Sequence, residues 1–82
     1  STGPRPTWLL NQPILLTERA GAPWHHGALR LLDGPERIET GWWDGRAVRR
    51  DYFIAQNPDQ QRLWIFRTLG EPAQWYLHGL FA

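Results

Sequence analysis

Eighty-two residues with nine basic and eight acidic side chains and a formal charge of +1 describe one small domain, since a chain this short buries only about 60–65% of its unfolded surface. The near balance of charge excludes a strong long-range field for polyanions, and the absence of cysteine excludes a disulfide framework or a thiolate metal site. Stability has to come from packing, for which six tryptophans, three phenylalanines and two tyrosines provide rings that bury about 150–250 Å² each.

All nine basic side chains are arginine, so a Schiff-base lysine and a phosphate-loop lysine are both missing. No apolar run is long enough for a membrane span, and no charged segment precedes one as in a secretory signal. The expectation is a soluble chain in a cytoplasmic setting, without contact to a membrane.

Residues 1–27 read as a proline-rich extended arm and loop packing on an antiparallel β domain formed by residues 28–82. Pro4, Pro6, Pro13 and Pro23 punctuate the arm, and each pushes its predecessor toward extended geometry. Between them Trp8-Leu9-Leu10 and Ile14-Leu15-Leu16-Thr17 are too short for helices, which predicts an arm or edge strand. Gly21 to Gly27 reads as a loop holding Trp24, His25 and His26. Ala28 to Leu32 and Glu36 to Trp43 then read as two strands around an Asp33-Gly34-Pro35 turn. Asp44-Gly45 supplies the positive-φ pair of a tight hairpin turn into a strand from Val48 to Gln56. Asn57-Pro58-Asp59 favours another turn. Arg62 to Thr68 should place Leu63, Ile65 and Arg67 on one face and Trp64, Phe66 and Thr68 on the other. After a break at Leu69 to Ala73, Gln74 to Phe81 closes the chain with Trp75, Leu77, Gly79 and Phe81 on a common face. No stretch shows a 3.6-residue period. The predicted fold is all-β, a small antiparallel sheet or partly open barrel of five to six short strands with an extended N-terminal arm.

Glu36, Glu39, Asp44 and Asp51 interleave with Arg37, Arg49 and Arg50. Carboxylate pairs can do acid–base chemistry or hold magnesium, but carboxylates flanked by arginines are more often in surface ion pairs. Strand alternation predicts Arg49 beside Asp51, with Arg50 on the opposite face and available to a partner. Trp42 and Trp43 also point oppositely, so one of them needs cover from the arm or from another molecule, and tryptophan and arginine are enriched among interface hot spots. Trp43, Arg37, Arg50 and Tyr52 are therefore the candidate partner-binding residues. The same arginines with Trp43, Tyr52, Trp64 and Arg67 could instead stack bases and neutralise phosphates of a single strand, and salt-sensitive affinity would be the signature. His25, His26 and His78 lack a metal-ligand spacing, so no metal and no cofactor is expected. Gln12-Pro13-Ile14-Leu15-Leu16 loosely resembles the glutamine-plus-apolar peptides that dock on sliding clamps, but an internal proline and no terminal aromatic favour packing of the arm. Ser1 is the only serine and no histidine lies near a threonine, so nucleophilic catalysis has no candidate. The chain reads as a binding domain and not an enzyme.

Four strings carry a family resemblance: Arg5-Pro6-Thr7-Trp8-Leu9-Leu10; Leu31-Leu32-Asp33-Gly34-Pro35-Glu36-Arg37-Ile38-Glu39-Thr40-Gly41-Trp42-Trp43-Asp44-Gly45; Arg50-Asp51-Tyr52-Phe53; and Trp75-Tyr76-Leu77-His78-Gly79-Leu80-Phe81. Together they resemble the C-terminal domain of the ImuB family, the catalytically inactive, Y-family-polymerase-like proteins of the bacterial mutasome. The resemblance implies a damage-induced translesion-synthesis system in which this domain acts as a non-catalytic adaptor. The partners it implies are a RecA-like accessory protein and an error-prone replicative-type polymerase, with direct contact to single-stranded or primer–template DNA as the alternative. The isolated domain is expected to be a monomer. The family assigns no binding residues inside this domain.

Overall fold

Seven strands form among the residues that the computed structural model describes, 3–40 and 48–82. In chain order they are β1 (Trp8–Leu15), β2 (Thr17–Arg19), β3 (Ala22–Trp24), β4 (Arg30–Thr40), β5 (Val48–Gln56), β6 (Arg62–Thr68) and β7 (Trp75–Leu80). β4 to β7 run as an antiparallel meander and β1 adds to the far side of β7, giving the order β1-β7-β6-β5-β4. β2 and β3 pair separately as a small hairpin. The main sheet is open, with β1 and β4 as its two edges. The all-β antiparallel expectation therefore holds in its sheet form and not as a barrel. No helix forms among the described residues, and none is long and apolar enough to cross a membrane.

Alternation along the central strand sorts the core onto two faces. Leu63 and Ile65 of β6 join Leu16, Leu29, Ala55, Trp75 and Leu77 on the first face, with Leu10, Phe53 and Leu80 at its margin. Trp64 and Phe66 join Tyr52 on the second face, bordered by Ile38, Ile54, Tyr76 and Phe81. β6 is thus buried on both sides, which accounts for the unbroken run of apolar residues from Leu63 to Phe66. The β5–β6 turn closes on Asn57, whose side-chain Oδ1 accepts the Gln61 N–H at 2.9 Å and whose carbonyl accepts the Gln60 N–H at 2.9 Å.

Several expectations change. The two strands anticipated around Asp33-Gly34-Pro35 are one long strand, β4, whose register against β5 shifts between Leu31 and Asp33 and again between Asp33 and Glu36. Bulges accommodate extra residues without ending a strand, and Gly34 is needed here. Its φ is +115°, and a Cβ would lie 2.6 Å from the Tyr52 carbonyl oxygen. The loop anticipated from Gly21 to Gly27 is partly the β2–β3 hairpin, which turns at Ala20 and Gly21 with positive φ at both. Gly79 and Phe81 leave the face of Trp75 and Leu77, because β7 carries a bulge at His78: Trp64 pairs with Gly79 and Ile65 with Leu77. The proline-rich arm includes β1, whose register with β7 slips between Leu9 and Ile14. Gly79 lets the arm seat, since a Cβ there would lie 2.6 Å from Pro6 Cγ and 2.8 Å from the Trp8 carbonyl oxygen. The Asp44-Gly45 turn, together with Trp42 and Trp43, lies outside the described residues.

Candidate partner-binding face

The second face forms a row across the sheet. Leu15 pairs with Tyr76, Tyr76 with Phe66, Phe66 with Tyr52, and Tyr52 with Glu36. Tyr52 and Trp64 stack with ring centroids 4.1 Å apart, and His78 lies nearly parallel to Trp64 at 5.3 Å. His78 alternates with Leu77 and so shares the face of Tyr76, and the bulge there turns Phe81 onto the same face. Two arginines cap the cluster. Arg50 lays its guanidinium over Phe66, 4.3 Å from the ring centroid, and Arg5 reaches over Trp64 at 5.3 Å, both within the range of cation–π attraction.

A polar thread runs through this apolar setting. Arg50 Nη1 donates to the Tyr52 hydroxyl at 3.1 Å, and that hydroxyl lies 2.8 Å from His78 Nδ1. Burial, reinforced by the nearby charge of Arg50, holds the His78 pKa below its usual 6.5. The imidazole is therefore neutral at pH 7, its Nδ1 accepts the tyrosine proton, and its own proton sits on Nε2. Arg50 Nε is buried and has no hydrogen-bond partner among the described residues. The two ion pairs found among the described residues, Arg5 with Glu36 and Arg37 with Asp51, do not include Arg50.

The N-terminal segment is strapped to this face. Arg5 grips Glu36 with two bonds of 2.8 and 2.9 Å, and the Gly3 N–H donates to the same carboxylate at 3.2 Å. The Arg5 hydrogen bond, assisted by Gly3, holds the Glu36 carboxyl below its usual range. With strap, arginines and imidazole in place, Tyr52, Trp64 and Phe66 are only 4%, 6% and 2% exposed. The rings are sealed, and what reaches the surface is the polar cap.

Arg50 and Tyr52 thus sit together. Arg37 sits elsewhere, on the opposite face, where Nε donates to Asp51 Oδ1 at 2.8 Å. That bond holds Asp51 below its usual carboxyl range and raises the guanidinium. The partner of Asp51 is therefore Arg37 across the ladder and not Arg49, since Arg37 is its directly paired neighbour on β4. Trp43 lies outside the described residues. Among the described residues the three histidines are not gathered into a metal-ligating group: His25 packs edge-on against His26, while His78 belongs to the aromatic cluster. Gln12 and Ile14 are part of β1. Sequence reasoning missed Arg5, Glu36 and His78. Nothing local marks the Arg5–Glu36 pair, whereas strand alternation already sets His78 opposite Trp75 and Leu77, on the face of Trp64 and Phe66.

The fold defines a small all-β sheet domain, strapped at its N-terminal end and capped by arginines on one face. The chain is similar to protein ImuB of Caulobacter vibrioides, with 38% identity over 65 residues in each of two strains. The match covers 65% of this chain and 14% of ImuB, so the chain spans a small part of the relatives it resembles. That span fits a single domain of a larger protein, as the C-terminal resemblance implies. No family model and no solved structure matches the chain.

Proposed function

We propose that this domain is a non-catalytic interaction module of a translesion-synthesis mutasome, serving the DNA damage response by recruiting a protein partner. The RecA-like accessory protein and the error-prone replicative-type polymerase are the partners to test. Similarity to ImuB supports the setting. The observation that carries the protein-binding reading is Arg50, a half-buried guanidinium held on Phe66 with a buried Nε that has no acceptor among the described residues. A cation held in an apolar surround is costly without a counter-group, and a partner carboxylate or carbonyl supplies one. Direct base stacking is disfavoured because Tyr52, Trp64 and Phe66 are covered, whereas single-strand binders present open ring faces.

Arg50→Ala and Trp43→Ala should each weaken capture of one of these partners in calorimetry while leaving the fold intact. Unchanged binding by both would remove the assignment. Labelled single-stranded and primer–template oligonucleotides, titrated at two salt concentrations, test the alternative: affinity that falls steeply with salt and is lost in Arg50→Ala would favour DNA.

A further inference from the structure

The two edges of the sheet are built differently. β4 carries Arg30, Asp33, Glu36, Arg37 and Glu39, charges of the kind that keep an open edge from pairing with another chain. From Pro6 to Thr17 the other edge has no charged residue at all. Along it Trp8 and Leu9 are each 60% exposed, Ile14 48% and Leu15 56%. Trp8 and Ile14 lie opposite Leu80 and Leu77 and so belong to the first face, whereas Leu9 and Leu15 lie opposite Gly79 and Tyr76 and belong to the second.

From the arrangement of these four side chains we infer that β1 is a self-association surface whose occupant is β1 of a second copy of this chain. A twofold axis normal to the sheet and passing through Gln12 reverses the strand and preserves its faces. It sets Leu9 of one copy opposite Leu15 of the other on the second face, with Trp8 and Ile14 as diagonal neighbours on the first. Each apolar group meets another, no like charges meet, and the two polar amides fall at the centre. An isologous contact of this kind is the commonest route to a homodimer.

An unrelated extended peptide is a poorer occupant. Strand addition draws its affinity from main-chain hydrogen bonds. The Leu16 N–H points inward to the Trp75 carbonyl at 2.9 Å, so alternation turns the main chains of Leu15 and Pro13 outward. Pro13 has no N–H to offer, and the slip between Leu9 and Ile14 bends the strand there. What remains is side-chain packing, which a second identical strip matches. At roughly 200 Å² per side chain, an aromatic-sized upper value, the exposed fractions leave at most about 450 Å² of apolar surface per copy. Two copies would bury at most about 900 Å², short of the ~1,200–2,000 Å² of a stable complex, so the dimer is weak and concentration-dependent.

Sedimentation equilibrium on the isolated chain from about 10 μM to about 1 mM, the range in which binding of roughly 4–7 kcal/mol is read, tests this without any mutasome component. Its failure would leave the recruitment reading untouched. The mass should rise from 9.6 kDa toward twice that value. Leu9→Glu and Leu15→Arg, both at exposed positions, should each hold the chain at monomer mass, and an equimolar mixture of the two should recover dimer, because the new charges oppose across the axis. Circular dichroism confirms that each variant is folded. Monomer mass for the native chain at about 1 mM, or a dimer that neither variant weakens, would overturn the inference.

Discussion

Tyr52→Phe removes one oxygen from the centre of the aromatic cluster and leaves the ring. That oxygen accepts from Arg50 Nη1 at 3.1 Å and bonds to His78 Nδ1 at 2.8 Å. The two orphaned groups are not equivalent. Arg50 is half-exposed and its Nη1 can turn toward water, which recovers most of the loss. His78 Nδ1 is packed among Tyr52, Trp64 and Phe66 and has no such recourse. One buried unsatisfied acceptor costs about 1–3 kcal/mol, and the partial recovery at Arg50 sets the expected loss at the lower end, about 1–2 kcal/mol. In a domain of this size 1 kcal/mol lowers Tm by about 4–8 °C, so the variant should melt about 4–16 °C lower at neutral pH. A second readout separates this from a packing defect. The tyrosine proton stabilises neutral imidazole, so its removal should move the His78 pKa back up toward 6.5, followed by NMR of the ring protons. An unchanged Tm together with an unchanged His78 titration would refute the polar thread and the tautomer assigned to it.

Gly79→Ala should detach β1 from β7, because its Cβ would meet Pro6 Cγ at 2.6 Å and the Trp8 carbonyl oxygen at 2.8 Å. The overpacking costs about 1–3 kcal/mol, and amide exchange should accelerate in β1 while β5 and β6 stay protected; uniform acceleration would show that the arm is part of the global unit. Acidification should destabilise the fold in two stages. His78 has a folded pKa below 6.5, so the unfolded chain takes up its proton first and stability, full above that value, declines as pH falls through it to the folded pKa. Glu36 and Asp51 are depressed below 4.5 and 3.8, so their contribution is present above those values and lost as pH falls further. Tm measured from about pH 8 to pH 3 should show both stages, and His78→Gln should shrink the first, to which the likewise depressed His25 also contributes, without changing the second. A Tm that holds level or rises on going below pH 6.5 would contradict the neutral imidazole.

Short-range chemistry determined a good part of this protein. β5 and β6 begin and end where their branched and aromatic runs meet turn residues, and the alternation of Leu63 and Ile65 with Trp64 and Phe66 already separates the two faces, because successive strand residues point oppositely by backbone geometry. The adjacency of Arg50 and Tyr52 on one face follows from the same period of two. Tertiary structure decided the remainder. Asp33-Gly34-Pro35 has the composition of a turn, yet the pairing of β4 with β5 on both sides of it absorbs it as a bulge. The extra residue at His78 reverses the alternation beyond it and turns Gly79 and Phe81 onto the aromatic face, where strict periodicity would leave them with Trp75 and Leu77. Arg5 finds Glu36, and Arg37 takes Asp51 from Arg49, across strand contacts rather than within a strand. Local propensity acts over a few residues, whereas bulges, ion-pair partners and the sealing of rings depend on which strands become neighbours. That choice is made by the burial of apolar surface over the whole sheet.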